Sequence, residues 1–298
     1  MNIQIQTILK KKITSILILN NGTIALYKEI TIFIYNPITF QLINEIKLNK
    51  KQNTILYLTQ FSDNSLIITG KHFFYIYNQQ TENSYKKFQY IYLKNKGEII
   101  KAVELKNKNL LICGCFGFEI YKKNNIENNN QYYFIYKLET SWILNFLEFK
   151  ENEFLLAQDR KLSIFKDEKF NVCLVNEDFI FFIRNRGIIL INNDFVFING
   201  KQYLYLFNLK INDIWKKIKI GNDNIHSCII QLKNKNEFLL GKNKNLYIIK
   251  FNENKKIFTI EKEKKLNIEF NIQEFEIFDN YKHLIISNSE NLYNIEFL

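Results

Sequence analysis

The side chains best suited to catalysis are few and scattered in this 298-residue chain. Its three histidines, His72, His226 and His283, lie in different parts of the sequence, with no Ser or Cys elbow and no metal-ligand spacing around them. His72 follows Gly70 and Lys71 in a turn, and His283 stands just before an apolar run, so ordinary turn and strand-edge roles account for both. The four cysteines, Cys113, Cys115, Cys173 and Cys228, form neither a disulfide framework nor a zinc pattern. Cys113 and Cys115 are two apart on an apolar stretch, which puts them on one strand face in or near the core. The nine glycines occur singly, so no phosphate-cradling loop is present. No catalytic residue, metal site or cofactor is expected from these residues, and a non-enzymatic protein is.

Charge offers a second kind of chemistry. The formal net charge is +11, carried almost entirely by Lys, with Arg only at 160, 184 and 186. Lys is a hydrated point charge and lacks the bidentate fork that suits Arg to phosphate. The basicity therefore has two readings. It is either a footprint for an acidic protein, RNA or an anionic membrane, or a solubility effect in a chain rich in Asn, Lys, Ile, Phe and Tyr. No apolar run approaches the roughly 18 residues of a membrane span. The opening MNIQIQTILKKK alternates polar and apolar residues and reads as a strand instead of a secretory signal. Together with unpaired cysteines, this predicts an intracellular protein, cytoplasmic or alternatively nuclear.

The elements that must position any site come from a repeat. Residues 61–78, FSDNSLIITGKHFFYIYN, read as polar turn, apolar strand, tight turn and second strand, and similar units recur throughout. Aligned on the residue closing the last strand of each unit, they give Tyr35, Tyr77, Tyr121, Phe165, Phe207, Ile249 and Ile295, spaced by 42, 44, 44, 42, 42 and 46. Seven copies at a period in the low forties predict a β-propeller. Each unit reads as a first strand, a polar turn, a continuous apolar second strand buried on both faces, an alternating third strand and a variable outer fourth. The seventh unit stops after its third strand, and residues 3–9 are free to supply the fourth and close the ring.

The expected fold is thus all-β: one seven-bladed propeller of four-stranded antiparallel blades over residues 1–298, closed by the N-terminal strand joining the last blade. The blades fall at roughly 13–48, 53–93, 97–139, 140–176, 178–221, 224–262 and 268–298 with 1–10. Between Tyr121 and Tyr132 an Asn-rich stretch predicts a solvated loop. Between Phe165 and Phe207 two registers compete, and the even spacing makes QYLYLFN the third strand.

Period, four-strand pattern and copy number resemble the WD40-repeat family along the whole chain. The signature residues differ, because no unit has the Gly-His pair and the positions of the family's Trp-Asp read Tyr35-Asn36, Tyr77-Asn78, Phe165-Lys166 and Phe207-Asn208. The family's His-Asp-Ser-Trp hydrogen-bond network therefore maps onto no residue here, and blade stability is assigned to aromatic and Ile packing. The resemblance implies a platform for protein partners, docked on the face around the channel entrance.

Turns joining second to third strands, and loops joining successive blades, share one propeller face. Lysines concentrate there, and the candidate partner-binding set on this face is Lys71, Arg160, Lys161, Lys201, Lys242 and Lys244, with Trp142 as an aromatic anchor or, equally, a core residue. Residues 182–187, FIRNRG, are loosely similar to the Phe-Arg-Arg-Gly motif of phosphoinositide-binding propellers, with Asn185 separating Arg184 from Arg186. The reading is a non-catalytic protein–protein interaction scaffold, a subunit of a larger complex with possibly acidic partners. The alternative is a propeller that binds phosphoinositide, anionic membrane or RNA through the Lys-rich face.

Overall fold

A computed structural model of the chain describes residues 3–9, 15–48, 55–82, 84–93, 97–124, 131–158, 160–166, 169–175, 187–200, 202–220, 227–266, 272, 274–278, 283–287 and 292–297. The 28 regular elements among them are all β-strands, sorted into seven four-stranded antiparallel sheets. No helix among the described residues is long and apolar enough to cross a membrane.

Blade 1 runs from its inner to its outer strand as Ser15–Ile18, Ile24–Lys28, Thr31–Tyr35 and Leu42–Lys47. Blade 2 is Ile55–Gln60, Leu66–Gly70, Phe73–Thr81 and Ser84–Tyr92. Blade 3 is Ile99–Glu104, Leu110–Gly114, Gly117–Lys123 and Tyr132–Leu138. Blade 4 is Ile143–Lys150, Glu153–Gln158, Lys161–Lys166 and Lys169–Val175. Blade 5 is Ile188–Leu190, Phe195–Asn199, Tyr203–Asn208 and Asp213–Lys219. Blade 6 is Ser227–Gln231, Glu237–Lys242, Asn245–Asn252 and Ile257–Lys265. Blade 7 joins Glu274–Phe278, His283–Ser287 and Leu292–Phe297 to the N-terminal strand Ile3–Leu9. Inner strands of successive blades touch in cyclic order, the seventh returning to the first, so the ring is closed as a β-propeller.

The second strands explain why the blades stack. Leu66–Gly70 and Leu110–Gly114 are buried at every position. Alternation sends Leu66 and Ile68 into a layer with Tyr27 and Ile34 of blade 1, while Ile67 joins Ala102 and Ile112 of blade 3. Each gap between neighbouring blades is thus its own apolar core, worth about 1.5–3 kcal/mol per large side chain removed from water.

Turns between inner and second strands repeat in conformation as well as in sequence. Gly22, Asn64, Lys108 and Asn152 all take positive φ, at 83°, 65°, 67° and 58°. In the first three an Asx side chain one residue earlier caps the turn: Asn21 Oδ1 accepts from Thr23 N–H at 3.1 Å, Asp63 Oδ1 from Ser65 N–H at 3.0 Å and Asn107 Oδ1 from Asn109 N–H at 3.1 Å. From the same turns a hydrogen bond crosses to the next blade. The N–H groups of Asn20, Ser62 and Lys106 donate to the side chains of Gln60, Glu104 and Glu148 at 2.6, 2.8 and 2.6 Å.

A second belt lies on the opposite face, where the carbonyls of Glu29, Lys71 and Asn243 at the hairpin tips accept from the N–H groups of Ile55, Ile99 and Ile272 in the following blade. The Asn that stands in place of the family's Asp also has a local task. Asn36 Oδ1 accepts from the N–H groups of Ile38 and Thr39, and Asn208 caps the equivalent turn through Lys210. In blade 6, where Lys250 holds that position and the strand runs on, Asn252 caps the turn through Lys255.

Two outcomes test this account. Gly117, at φ 95°, has no room for a side chain, since a Cβ would lie 2.0 Å from Leu138 O, whereas Gly22, at φ 83°, has nothing within 4 Å. Both Ala variants carry the left-handed penalty of about 1–2 kcal/mol; Gly117→Ala is expected to lose distinctly more in urea denaturation, and equal losses would contradict the packing. Burial alone would raise the Asp63 pKa, but hydrogen bonds from Lys123 and Ser65 more than reverse this and hold it below the usual carboxylate range. A depressed folded pKa adds stability above the unfolded value of about 3.9 and loses it as pH falls through the folded one. Asp63→Asn should therefore destabilise the protein at pH 7, with the gap from wild type closing as pH is lowered towards 2.

Candidate functional site

The hairpin face at blade 4 brings together three of the predicted residues. In the blade 4 ladder Ile143 pairs with Gln158, so Trp142 and the Arg160-Lys161 hairpin end stand at the same tip. Trp142 is 53 % exposed and Arg160 and Lys161 are exposed, while the adjoining Ile143 is fully buried. Of the two readings of Trp142, the structure supports display over core packing.

The display has a scaffold that was not singled out in the sequence. Gln158, 2 % exposed, donates from Nε2 to Thr140 Oγ1 at 3.1 Å and to Ser141 O and Oγ at 3.2 and 2.6 Å, and its Oε1 accepts from Ser163 Oγ at 3.0 Å. One buried amide thus ties the loop entering blade 4 to the hairpin beside it. The available signal was a polar residue ending the apolar run EFLLAQ.

The remaining predicted residues are dispersed. Lys71 is exposed and ion-paired, its Nζ 3.1 Å from Glu98 Oε1. Lys244 is half-buried at the tip of the blade 6 hairpin. Lys242 is corrected: it is fully buried and contributes no exposed charge. Its place follows from register, because Lys242 pairs with Asn245 inside the ladder, while the tip is Asn243 and Lys244. It occupies the position of Gly70 in blade 2, where a Cβ would meet the Phe73 ring at 2.2 Å. In blade 6 the facing residue is Asn245, smaller than Phe, and the long side chain is accommodated. Lys201, Arg184 and Arg186 lie outside the described residues.

Charge on this face is partly neutralised, by Glu98 on Lys71 and by Glu139 on Lys137. Among the described residues no ion pair involves Arg160 or Lys161. None of the described His, Cys, Asp and Glu residues form a group of three or more fit to hold a metal. Burial pushes the Cys113 thiol up to about 12, so it stays protonated at neutral pH. On the opposite face, a cleft of about 540 Å³ between blades 3 and 4 has Ile120, Tyr136, Phe154 and Phe165 as its floor and Lys150 and Glu153 at its rim. Glu153 is held there by Lys150 at 2.9 Å and Lys166 at 3.6 Å.

The chain has two tryptophans, so Trp215→Phe isolates Trp142 as a fluorophore. Its emission is expected to be that of a solvated indole, readily quenched by acrylamide. Adding Gln158→Ala should lower its anisotropy and cost about 1–3 kcal/mol of stability, through buried polar groups left without the amide; an unchanged anisotropy would mean that Gln158 does not hold the loop.

Comparison with known proteins finds no family model that matches and no curated protein that matches. Solved structures do match. A streptogramin B lyase has 12 % identity and a TM-score of 0.72, covering 99 % of this chain and 98 % of the other. A catalytically inactive virginiamycin B lyase from Staphylococcus aureus with quinupristin has 12 % identity and a TM-score of 0.72, with each chain fully covered. A chain of a mitotic checkpoint complex has 11 % identity and a TM-score of 0.75, covering 99 % of this chain and 91 % of the other. At these identities the likeness is one of fold, and the chain is a seven-bladed β-propeller.

Proposed function

We propose that the chain is a non-catalytic interaction propeller, a subunit of a larger assembly, that docks an acidic segment of a protein partner at the tip of blade 4. Trp142 would supply the anchor and Arg160 and Lys161 the flanking charge. The observation that carries this reading is Trp142, more than half exposed beside two cations on a loop that Gln158 fixes from below. An aromatic anchor held in place before binding spends little ordering entropy, and Trp and Arg dominate the residues that carry binding energy at interfaces. Likeness to the lyases, at 12 % identity, is taken as fold alone.

Binding to RNA or a phosphoinositide membrane is less favoured. Glu98 and Glu139 interrupt the positive face, and the chain is poor in Arg. The test compares affinity purifications from native extract. Chains captured by the wild type should be lost with Trp142→Ala and with Arg160→Glu/Lys161→Glu, and retained with Trp215→Ala. Truncating an anchor of this kind costs about 2–4 kcal/mol, enough to drop a micromolar partner below capture. A wild-type protein recovered alone and monomeric, or one whose partners survive all three variants, would refute the proposal.

A further inference from the structure

Among the described residues every blade ends in an outer strand with no strand beyond it. Such edges template pairing with another chain unless charge, Pro or a covering element blocks them. The outer strands of blades 1, 2, 5 and 6 carry charge within them, as at Glu45, Lys87, Lys217 and Glu261. The outer strand of blade 3, Tyr132–Leu138, carries one charge, Lys137, next to its end, and residues 132–136 read Tyr-Tyr-Phe-Ile-Tyr. The outer strands of blades 4 and 7, Lys169–Val175 and Ile3–Leu9, have no charge inside them either, and what sets blade 3 apart is a run of exposed large apolar side chains. Three successive side chains there, Tyr133, Phe134 and Ile135, are 47 %, 51 % and 43 % exposed. The cause is a bulge. Tyr121 pairs with Phe134 and Ile120 with Tyr136, which leaves Ile135 as the extra residue and directs apolar groups outward on both sides of the edge.

The backbone of this edge already accepts an imitation of a neighbouring strand. Gln89 of blade 2 donates from Nε2 to Tyr132 O at 2.9 Å, and Tyr132 N–H donates to Gln89 Oε1 at 2.8 Å. One side-chain amide thus makes both bonds that an adjacent peptide would make. Ladder alternation turns the next outward pair of backbone groups to Phe134, two residues on. The flanks are positive, since Lys86 and Lys122 are exposed, while the acidic residues nearby are engaged, Asp63 by Lys123 and Glu139 by Lys137. With a net charge of +11, a second copy of this chain would be repelled from the same edge.

We propose that the outer edge of blade 3 binds an extended segment of another protein by strand addition, with alternating apolar side chains against Phe134 and Tyr133 and acidic residues flanking them. This surface is separate from the tip of blade 4 and does not depend on it. The probe is a fluorescein-labelled peptide with the core Val-Thr-Ile-Thr-Val and Asp-Glu flanks, titrated with the full chain and followed by anisotropy. The control peptide has the same core with Lys flanks.

Saturable binding is expected for the acidic peptide, at least about tenfold tighter than for the control (about 1.4 kcal/mol). Ile135→Lys should weaken it by tenfold or more at an unchanged urea midpoint, and Lys122→Glu should narrow the preference for acidic flanks. Amide exchange at Phe134 should slow in the complex, and Trp142→Ala should leave binding intact. The proposal is overturned by absence of saturable binding, by indifference to flank charge, or by binding that survives Ile135→Lys. Loss of binding in Trp142→Ala would place the peptide at blade 4 instead. A concentration-dependent dimer abolished by Ile135→Lys would assign the edge to a second copy and equally overturn it.

Discussion

The hydrogen bond that passes from an inner turn to the next blade, seen at blades 1, 2 and 3, is the constraint on which the stacking of these blades depends. Apolar layers between blades supply most of the energy, but they are non-directional and would tolerate one sheet sliding over another. The clasp from Ser62 N–H to Glu104, repeated from Asn20 to Gln60 and from Lys106 to Glu148, sets the height of each blade against its neighbour. Bonds of this kind to a charged group contribute about 1.5–3 kcal/mol each, little beside burial, yet they specify register where burial cannot. The tip carbonyls of Glu29 and Lys71 do the same on the other face, so the joints between blades 1 and 2 and between blades 2 and 3 are held at both ends.

This division of labour shapes the electrostatics. Several lysines serve the inner-turn face, where Lys123 meets Asp63, Lys210 meets Asp194 and Lys250 meets Glu237. Exposed pairs of this type contribute little individually, but they neutralise much of that face. The cations left without acidic partners among the described residues include Arg160 and Lys161, next to an exposed Trp. Such pairs leave the formal net charge of +11 unchanged, since each takes up one cation and one anion, but they decide which cations stand without a carboxylate beside them.

How much was legible in the sequence follows from what each feature depends on. The propeller and its closure were readable because apolar second strands such as LIITG and LLICG are dictated by burial on both faces, a pattern that survives any change of individual residues. Residues at hairpin ends were less readable. A shift of one position decides whether a Lys is a surface charge or a buried side chain, and GK at 241–242 looks like GK at 70–71 while lying one step further inside the ladder. Trp142 could not be resolved from its neighbours, because its exposure depends on Gln158 reaching back across the blade. The abundant Asn looked compositional; Asn21, Asn36, Asn107 and Asn208 prove to cap turns at repeating places. Their signal was periodicity in a residue type that is common everywhere.

The chemistry of the inner-turn clasp also bears on how such a chain can lose its family's signature. On the donating side the group is a main-chain N–H, which Asn20, Ser62 and Lys106 supply equally well. On the accepting side only a side chain with an oxygen at the right reach will serve, and Gln60, Glu104 and Glu148 share that property without sharing a charge. Half of each of these three joints is thus free to drift and half is narrowly chosen. Blades joined this way can wander far in sequence while keeping their stacking, provided that the one polar position at each such joint stays long and oxygen-bearing.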